Sequence, residues 1–203
     1  MRRSQCHPII SSLPNGQRGF SLLIVLIVMI IIAFLAVAAT QTYNTELRIS
    51  SNDADRKMAM ATAEAALRQG ESDIATFTDE AFNETCTGGL CSQAGQADER
   101  VETNEGILTI GQDSSNINAW TRTSCNDDTS CLETNGRTYP TAAGANSCST
   151  LASRTNRACY IIEYISNTPD LNGNTLLFRV TARAWGQNAN TVVTVQSYVE
   201  SIR

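Results

Sequence analysis

Seven cysteines, one histidine and twenty carboxylates are the side chains of this 203-residue chain best suited to chemistry. Their positions decide which chemistry is open. The histidine, His7, and one cysteine, Cys6, lie among the first 19 residues. Beyond them there is no imidazole to act as base or metal ligand, and no Ser-His-Asp or Cys-His arrangement. No phosphate-binding loop or Gly-rich dinucleotide turn occurs. The carboxylate pairs Asp79-Glu80, Asp98-Glu99 and Asp127-Asp128 sit in polar stretches. They read as solvated loop charge, with calcium binding as a minor alternative. No catalytic, cofactor or metal site is expected.

Six cysteines remain: Cys86, Cys91, Cys125, Cys131, Cys148 and Cys159. An even number reads as disulfides if the compartment is oxidising. The rival is zinc, for which the spacings C-x4-C and C-x5-C are tolerable but not the tight zinc-finger pattern. Six cysteines allow about 15 pairings. Loop closure costs least between near neighbours. That favours Cys86–Cys91, Cys125–Cys131 and Cys148–Cys159, with the other pairings open. The stretch they would staple, residues 81–156, is rich in Ser, Thr, Asn, Asp and Gly. Such a composition buries too little apolar surface to offset its chain entropy, and cross-links relieve that deficit. Long surface loops are expected, with a short strand at Gly106–Ile110. Loops of that length are where recognition sits.

The element that must position this region is a long helix. Residues 20–39, FSLLIVLIVMIIIAFLAVAA, carry no charge. At ~1.5 Å per residue, ~20 residues span the ~30 Å hydrocarbon core of a bilayer. Arg2, Arg3 and Arg18 precede the run and the first acid, Glu46, follows it. The leader should therefore stay cytoplasmic and the remainder cross. A secretory signal cut after Ala38 and an uncleaved anchor are alternatives. The apolar core, however, exceeds the ~7–15 residues of an ordinary signal.

No Gly or Pro interrupts the chain between Gly19 and Gly70. The apolar run should continue as one helix of about 60 residues. Met60, Ala63, Leu67, Gly70, Ile74 and Phe77 recur at helical spacing and predict a stripe packed on a domain. Asn44, Ser50, Ser51 and Asn52 are weak helix formers and predict a kink or melted turn.

The tail reads as strands. Cys159–Ser166, Thr175–Trp185 and Thr191–Val199 are rich in β-branched and aromatic residues. Leu176, Phe178, Val180, Ala182 and Ala184 alternate with Leu177, Arg179, Thr181, Arg183 and Trp185, so one face should be buried. Turn residues separate the strands at 169–173 and 186–188. A three-stranded antiparallel meander covering the helix stripe follows, in an α+β fold. Arg179 and Arg183 should face solvent on the opposite side. Trp185 shares that side, within reach of a cation–π contact.

The segment from Gln17 to Glu71, with its Ala-Glu-Ala-Ala-Leu-Arg-Gln-Gly-Glu ending, resembles the PilX-type minor pilins of type IV pili. RVTARAWGQNANTVVTVQSYV (179–199) is similar to the same family. The resemblance implies a type IV pilin-like fold. It also implies cleavage between Gly19 and Phe20 by a prepilin peptidase and N-methylation of Phe20. The mature chain would be anchored in the bacterial inner membrane, its domain periplasmic, with other pilins as partners through the N-terminal helix. Most pilins carry Glu at the fifth mature position. Here that residue is Ile24. A carboxylate in lipid needs a partner, which in the family is the N-terminus of the subunit above. A subunit at the tip has none above it, so Ile24 points to a tip or priming role. Drift in a protein that never enters a fibre is the competing account.

The organisation expected is a leader (1–19), a transmembrane helix (20–40), the periplasmic half of that helix (41–80), the disulfide region (81–156) and the sheet (157–203). Losing Arg2, Arg3 and Arg18 takes the basic count from 15 to 12 against 20 acids, a charge of −8. No basic run exists, so nucleic acid is not expected as a direct partner. Two other classes fit the helix: a type II secretion pseudopilin, and an adhesin domain on a membrane stalk.

Overall fold

The computed structural model describes residues 20–123, 125, 129–140, 147–150, 153–170 and 173–203. Arg2, Arg3, Cys6, His7, Arg18 and Gly19, the pair Asp127-Asp128, and the turn residues Leu171 and Asn172 lie outside the described residues.

Two compact units divide the chain, residues 1–50 and 51–203. Helix α1 (Phe20–Ile74) begins in the first and ends in the second. In the first unit every described residue, 20–50, is exposed. The hydroxyls of Thr40, Thr42 and Thr45 donate to the carbonyls of Val37, Ala38 and Gln41 at 2.8, 3.3 and 3.1 Å. That satisfies them without a partner outside the helix. The melted turn expected around Asn44–Asn52 is absent, because the helix runs through these residues unbroken.

In the second unit α1 buries Ala59, Ala63, Ala66, Gly70 and Ile74. The stripe is narrower than expected and its first member is shifted. Met60 is exposed, and Ala59 takes the inward position. Small residues let the helix approach the sheet. A Cβ on Gly70 would come within 2.6 Å of Val180 Cγ1 and 3.0 Å of Tyr160 Cδ2. This glycine is explained by close approach, although it costs a helix interior about 1 kcal/mol relative to Ala. The helix stops at Ile74 rather than near residue 80. Phe77, expected on the helical stripe, lies beyond the helix end and is still buried.

The sheet that α1 packs on is larger than the expected meander. Strands β6 (Ala158–Asp170), β7 (Gly173–Trp185) and β8 (Val192–Ile202) pair antiparallel in sequence order. Two short strands join the far edge of β6. β2 (Leu90–Ser92) pairs parallel with Ile162–Tyr164, and β5 (Arg137–Tyr139) antiparallel with Ala158–Tyr160. The result is a five-stranded mixed sheet. A second sheet of three strands has the order β1 (Ala81–Phe82), β4 (Ile107–Ile110), β3 (Glu99–Glu102). Residues 81–156, expected as loops with one short strand, thus supply five strands and the one-turn helix α2 (Cys131–Asn135).

The core has two parts. On the helix side Leu176, Phe178, Val180, Ala182 and Ala184 are fully buried, as their alternation predicts. Phe77, Phe82, Tyr164 and Phe178 form an aromatic cluster there, with ring centroids 5.8–6.1 Å apart. On the opposite side of β6 and β7 lies a second cluster: Cys86, Cys91, Ala119, Cys131, Leu132, Cys148, Cys159, Ile161 and Trp185. Strands β6 and β7 are therefore covered on both faces.

Candidate functional site

Two regions stand out, one of exposed apolar side chains and one of buried charge. The first is the apolar start of α1. Phe20 opens the helix, 67% exposed, and Ile24 one turn on is 47% exposed. From Phe20 to Val37 large apolar side chains ring the helix without burial. Each gains about 1.5–3 kcal/mol on leaving water. A helix apolar all round belongs in lipid or among other apolar helices. Among the described residues this one helix is apolar and long enough to anchor the chain in a membrane. Ile24 adds no charge to it, so the segment can pack without a buried carboxylate that needs neutralising.

The second region is the polar layer clasping the disulfide-bearing lobe to the outer face of the sheet. Cys86 is joined to Cys91, Cys125 to Cys131 and Cys148 to Cys159. Above β6 and β7 the lobe is tied by charge. Glu163 and Arg179 face each other across the strands. The carboxylate accepts from Arg179 Nε at 2.9 Å and Nη2 at 2.8 Å, and from the Ala119 N–H at 3.3 Å. Arg179 Nη2 also donates to Asn118 Oδ1 at 3.0 Å. Glu163 is fully buried and Arg179 11% exposed. A bidentate pair with its remaining sites filled can meet the cost of burying two charges. The carboxylate beside it raises the proton affinity of Arg179 further.

Three more ion pairs extend the layer. Glu133 on α2 bridges Arg154 and Arg183, each at 2.5 Å. Arg154 lies 5.0 Å over the ring of Trp185. Arg122, 2% exposed, pairs with Asp113 at 2.5 Å and donates to the carbonyls of Glu84 and Ile117. The expectation that Arg179 and Arg183 point into solvent is therefore overturned. The lobe sits on them, and Arg154 rather than either of them stacks on Trp185. These contacts join positions up to 61 residues apart, and nothing local in the sequence marks them.

The helix side has its own polar ties. Asp73 Oδ2 accepts from Tyr160 Oη at 2.7 Å and Arg137 Nη1 at 2.8 Å. Burial, with Asp73 beside it, pushes the Tyr160 hydroxyl pKa well above its usual value. The guanidinium of Arg203 donates to the carbonyls of Ile74 and Phe77 and to Glu105. α1 has no basic residue in its last turn. Arg203 supplies the missing cation and is a second donor to the Ile74 carbonyl, which also accepts from the Phe77 N–H at 3.2 Å. Asp55 accepts from the N–H groups of Gln187 at 2.6 Å and Asn188 at 3.2 Å. Those bonds and one from Thr191, the largest contribution, hold its pKa below the ordinary value.

The carboxylate pairs also do structural work. Asp79 accepts from Ile107 N–H, Asp98 from Gln112 N–H, and Glu99 from Tyr164 Oη. Among the described residues no group of three or more His, Cys, Asp or Glu is arranged to hold a metal ion. An open groove of about 530 Å³ is lined by Ala61, Glu64, Ala65, Arg68, Gln69 and Tyr139.

Residues 87–201 match the family model described as type IV pilus assembly protein PilX, C-terminal part. Residues 18–68 match the PilX N-terminal model. No curated protein and no solved structure gives a match.

Proposed function

This chain belongs to the PilX family of type IV pilus assembly proteins, and on that premise we propose that it is a minor pilin that starts or caps the fibre. The observation that carries the proposal is Ile24 in an exposed, uncharged helical segment. A shaft subunit uses a carboxylate at that position to meet the N-terminus of the subunit above. Ile24 offers none, so this subunit gains nothing from having another above it.

On this reading a prepilin peptidase cuts between Gly19 and Phe20 and the new N-terminus at Phe20 is methylated. The mature chain crosses the inner membrane once, with residues 41–203 in the periplasm. That oxidising compartment suits the three cystines. The apolar helix then leaves lipid for a bundle of similar helices, held by van der Waals packing. Within the family, we infer from Asp55–Glu71, residues 179–199 and the spacing of the first four mature cysteines a likeness to the neisserial minor pilin PilK.

Mass spectrometry of the mature chain tests the processing. Methylated Phe20 is expected, and an N-terminus at Ala39 would exclude it. Pilus counts and twitching motility test the role. Deletion should lower both. Ile24→Glu should disturb assembly, because the new carboxylate has no partner above it. Indifference to both changes ends the priming proposal.

A further inference from the structure

One long strand edge has no partner. Among the described residues β8 pairs only with β7, whereas β2 and β5 together occupy the opposite edge of the sheet. Proteins ordinarily protect an exposed edge with short length, prolines, lysines or a bulge. β8 has none of these. It is 11 residues long, contains no Pro, Lys or Arg, carries one charge at Glu200, and pairs with β7 in unbroken register.

Its side chains leave both faces unfinished. On the helix side Val193, Val195 and Val199 are only partly buried against the core. Ser197, in the same row, has a buried hydroxyl with no hydrogen-bond partner. On the other side Val192, Tyr198 and Ile202 are 46%, 62% and 75% exposed. An added strand would pair the open backbone groups, extend the valine row and bring a partner to the Ser197 hydroxyl.

We propose that β8 is the docking edge for an extended strand of a different polypeptide anchored in the same membrane, which becomes the sixth strand of this sheet. The size of the contact selects an occupant held in the same bilayer, and charge disfavours a second copy, whose β8 has no Lys or Arg to face Glu200. A strand of this length presents a strip of only about 36 Å by 5 Å. A strand-only contact lies well under the ~1,200 Å² of a stable complex between freely diffusing proteins. Anchoring both chains in one bilayer raises the effective concentration toward the millimolar range and makes so small a contact sufficient. Charge narrows it further, because a lone acid at Glu200 calls for a largely uncharged strand with one cation opposite. The proposal rests on the reading of α1 as a membrane anchor.

The test uses the full chain in cells with an intact set of pilus genes. A photo-cross-linking amino acid is placed at Gln196 on the edge and, as control, at exposed Arg100 on β3. Position 196 should give an adduct with a heterologous membrane protein, and position 100 should not. Val192→Lys with Ile202→Lys, both exposed, should cut that adduct about tenfold, since edge lysines oppose pairing. Urea unfolding of the detergent-solubilised variant should match the unsubstituted chain. Three results overturn the proposal: no adduct at 196, an adduct of two copies of this chain, or an equal yield with a partner lacking a membrane span. If deletion leaves pilus number unchanged while the heterologous adduct still forms, the pilus reading fails and the edge stands.

Discussion

The two faces of β7 are held by different physics. On the helix side five apolar side chains meet the alanines and Gly70 of α1 and an aromatic cluster. That face is stabilised by area removed from water and depends on shape. On the lobe side Arg179, Thr181, Arg183 and Trp185 meet carboxylates, backbone groups and cystines. That face depends on specific partners, and losing one leaves the other buried and unsatisfied. One strand thus binds a helix by fit and a lobe by pairing.

Urea unfolding of the full chain in detergent can break or sharpen this contrast. The largest effect is expected from Phe178→Ala, which removes a ring from the aromatic cluster and should cost about 3–5 kcal/mol. A loss below ~1 kcal/mol would mean that the apolar face is not the dominant support. Next comes Glu163→Gln, expected to cost about 3 kcal/mol by leaving Arg179 without its counter-charge. The double change Glu163→Met with Arg179→Met should recover most of that loss, since no charge is then buried. A double variant no better than the single one refutes the pairing account of the lobe side.

Replacing Cys148 and Cys159 by alanine opens a bridge of sequence separation 11 and should cost about 2–3 kcal/mol. Hydrogen exchange should then rise in α2 and the lobe, while β7 and β8 stay protected. Equal loss of protection in β8 would show that the two faces do not yield separately.

The smallest effect is at Asp55. Its pKa is depressed in the folded chain, so its contribution is fully present above the unfolded value near 3.9 and fades as pH falls through the folded value. The unfolding midpoints of the chain and of Asp55→Asn should therefore converge as pH drops below about 4. A gap that persists there assigns the effect to something other than the charge.

The same contrast explains what the sequence reveals. The apolar row from Leu176 to Ala184 repeats every second residue, and α1 runs 55 residues with one interior glycine. Both periods are local and long enough to read. Met60 misleads because it is the larger apolar residue, whereas the tight approach at Gly70 admits only small neighbours. The short strands β1 to β5 have two to four residues each, too few to show a period. β2 finds its parallel partner 72 positions away, at Leu90 and Ile162. Arg179 and Arg183 look like solvent-facing charge because Asn118, Ala119 and Glu133, which cover them, are remote in the chain. Patterns within an element are visible, and pairings between distant elements are not.

The seat of Arg203 sets a schedule. Arg203 and Ile74, whose carbonyl it takes up, stand 129 positions apart. The Ile74 carbonyl has a local donor in the Phe77 N–H at 3.2 Å, and Arg203 adds a second from just beyond β8. The local bond can form with the helix alone, whereas the second exists only once the last strand is in place. The end of the first helix and the end of the last strand are thereby tied as one closure of the assembled domain.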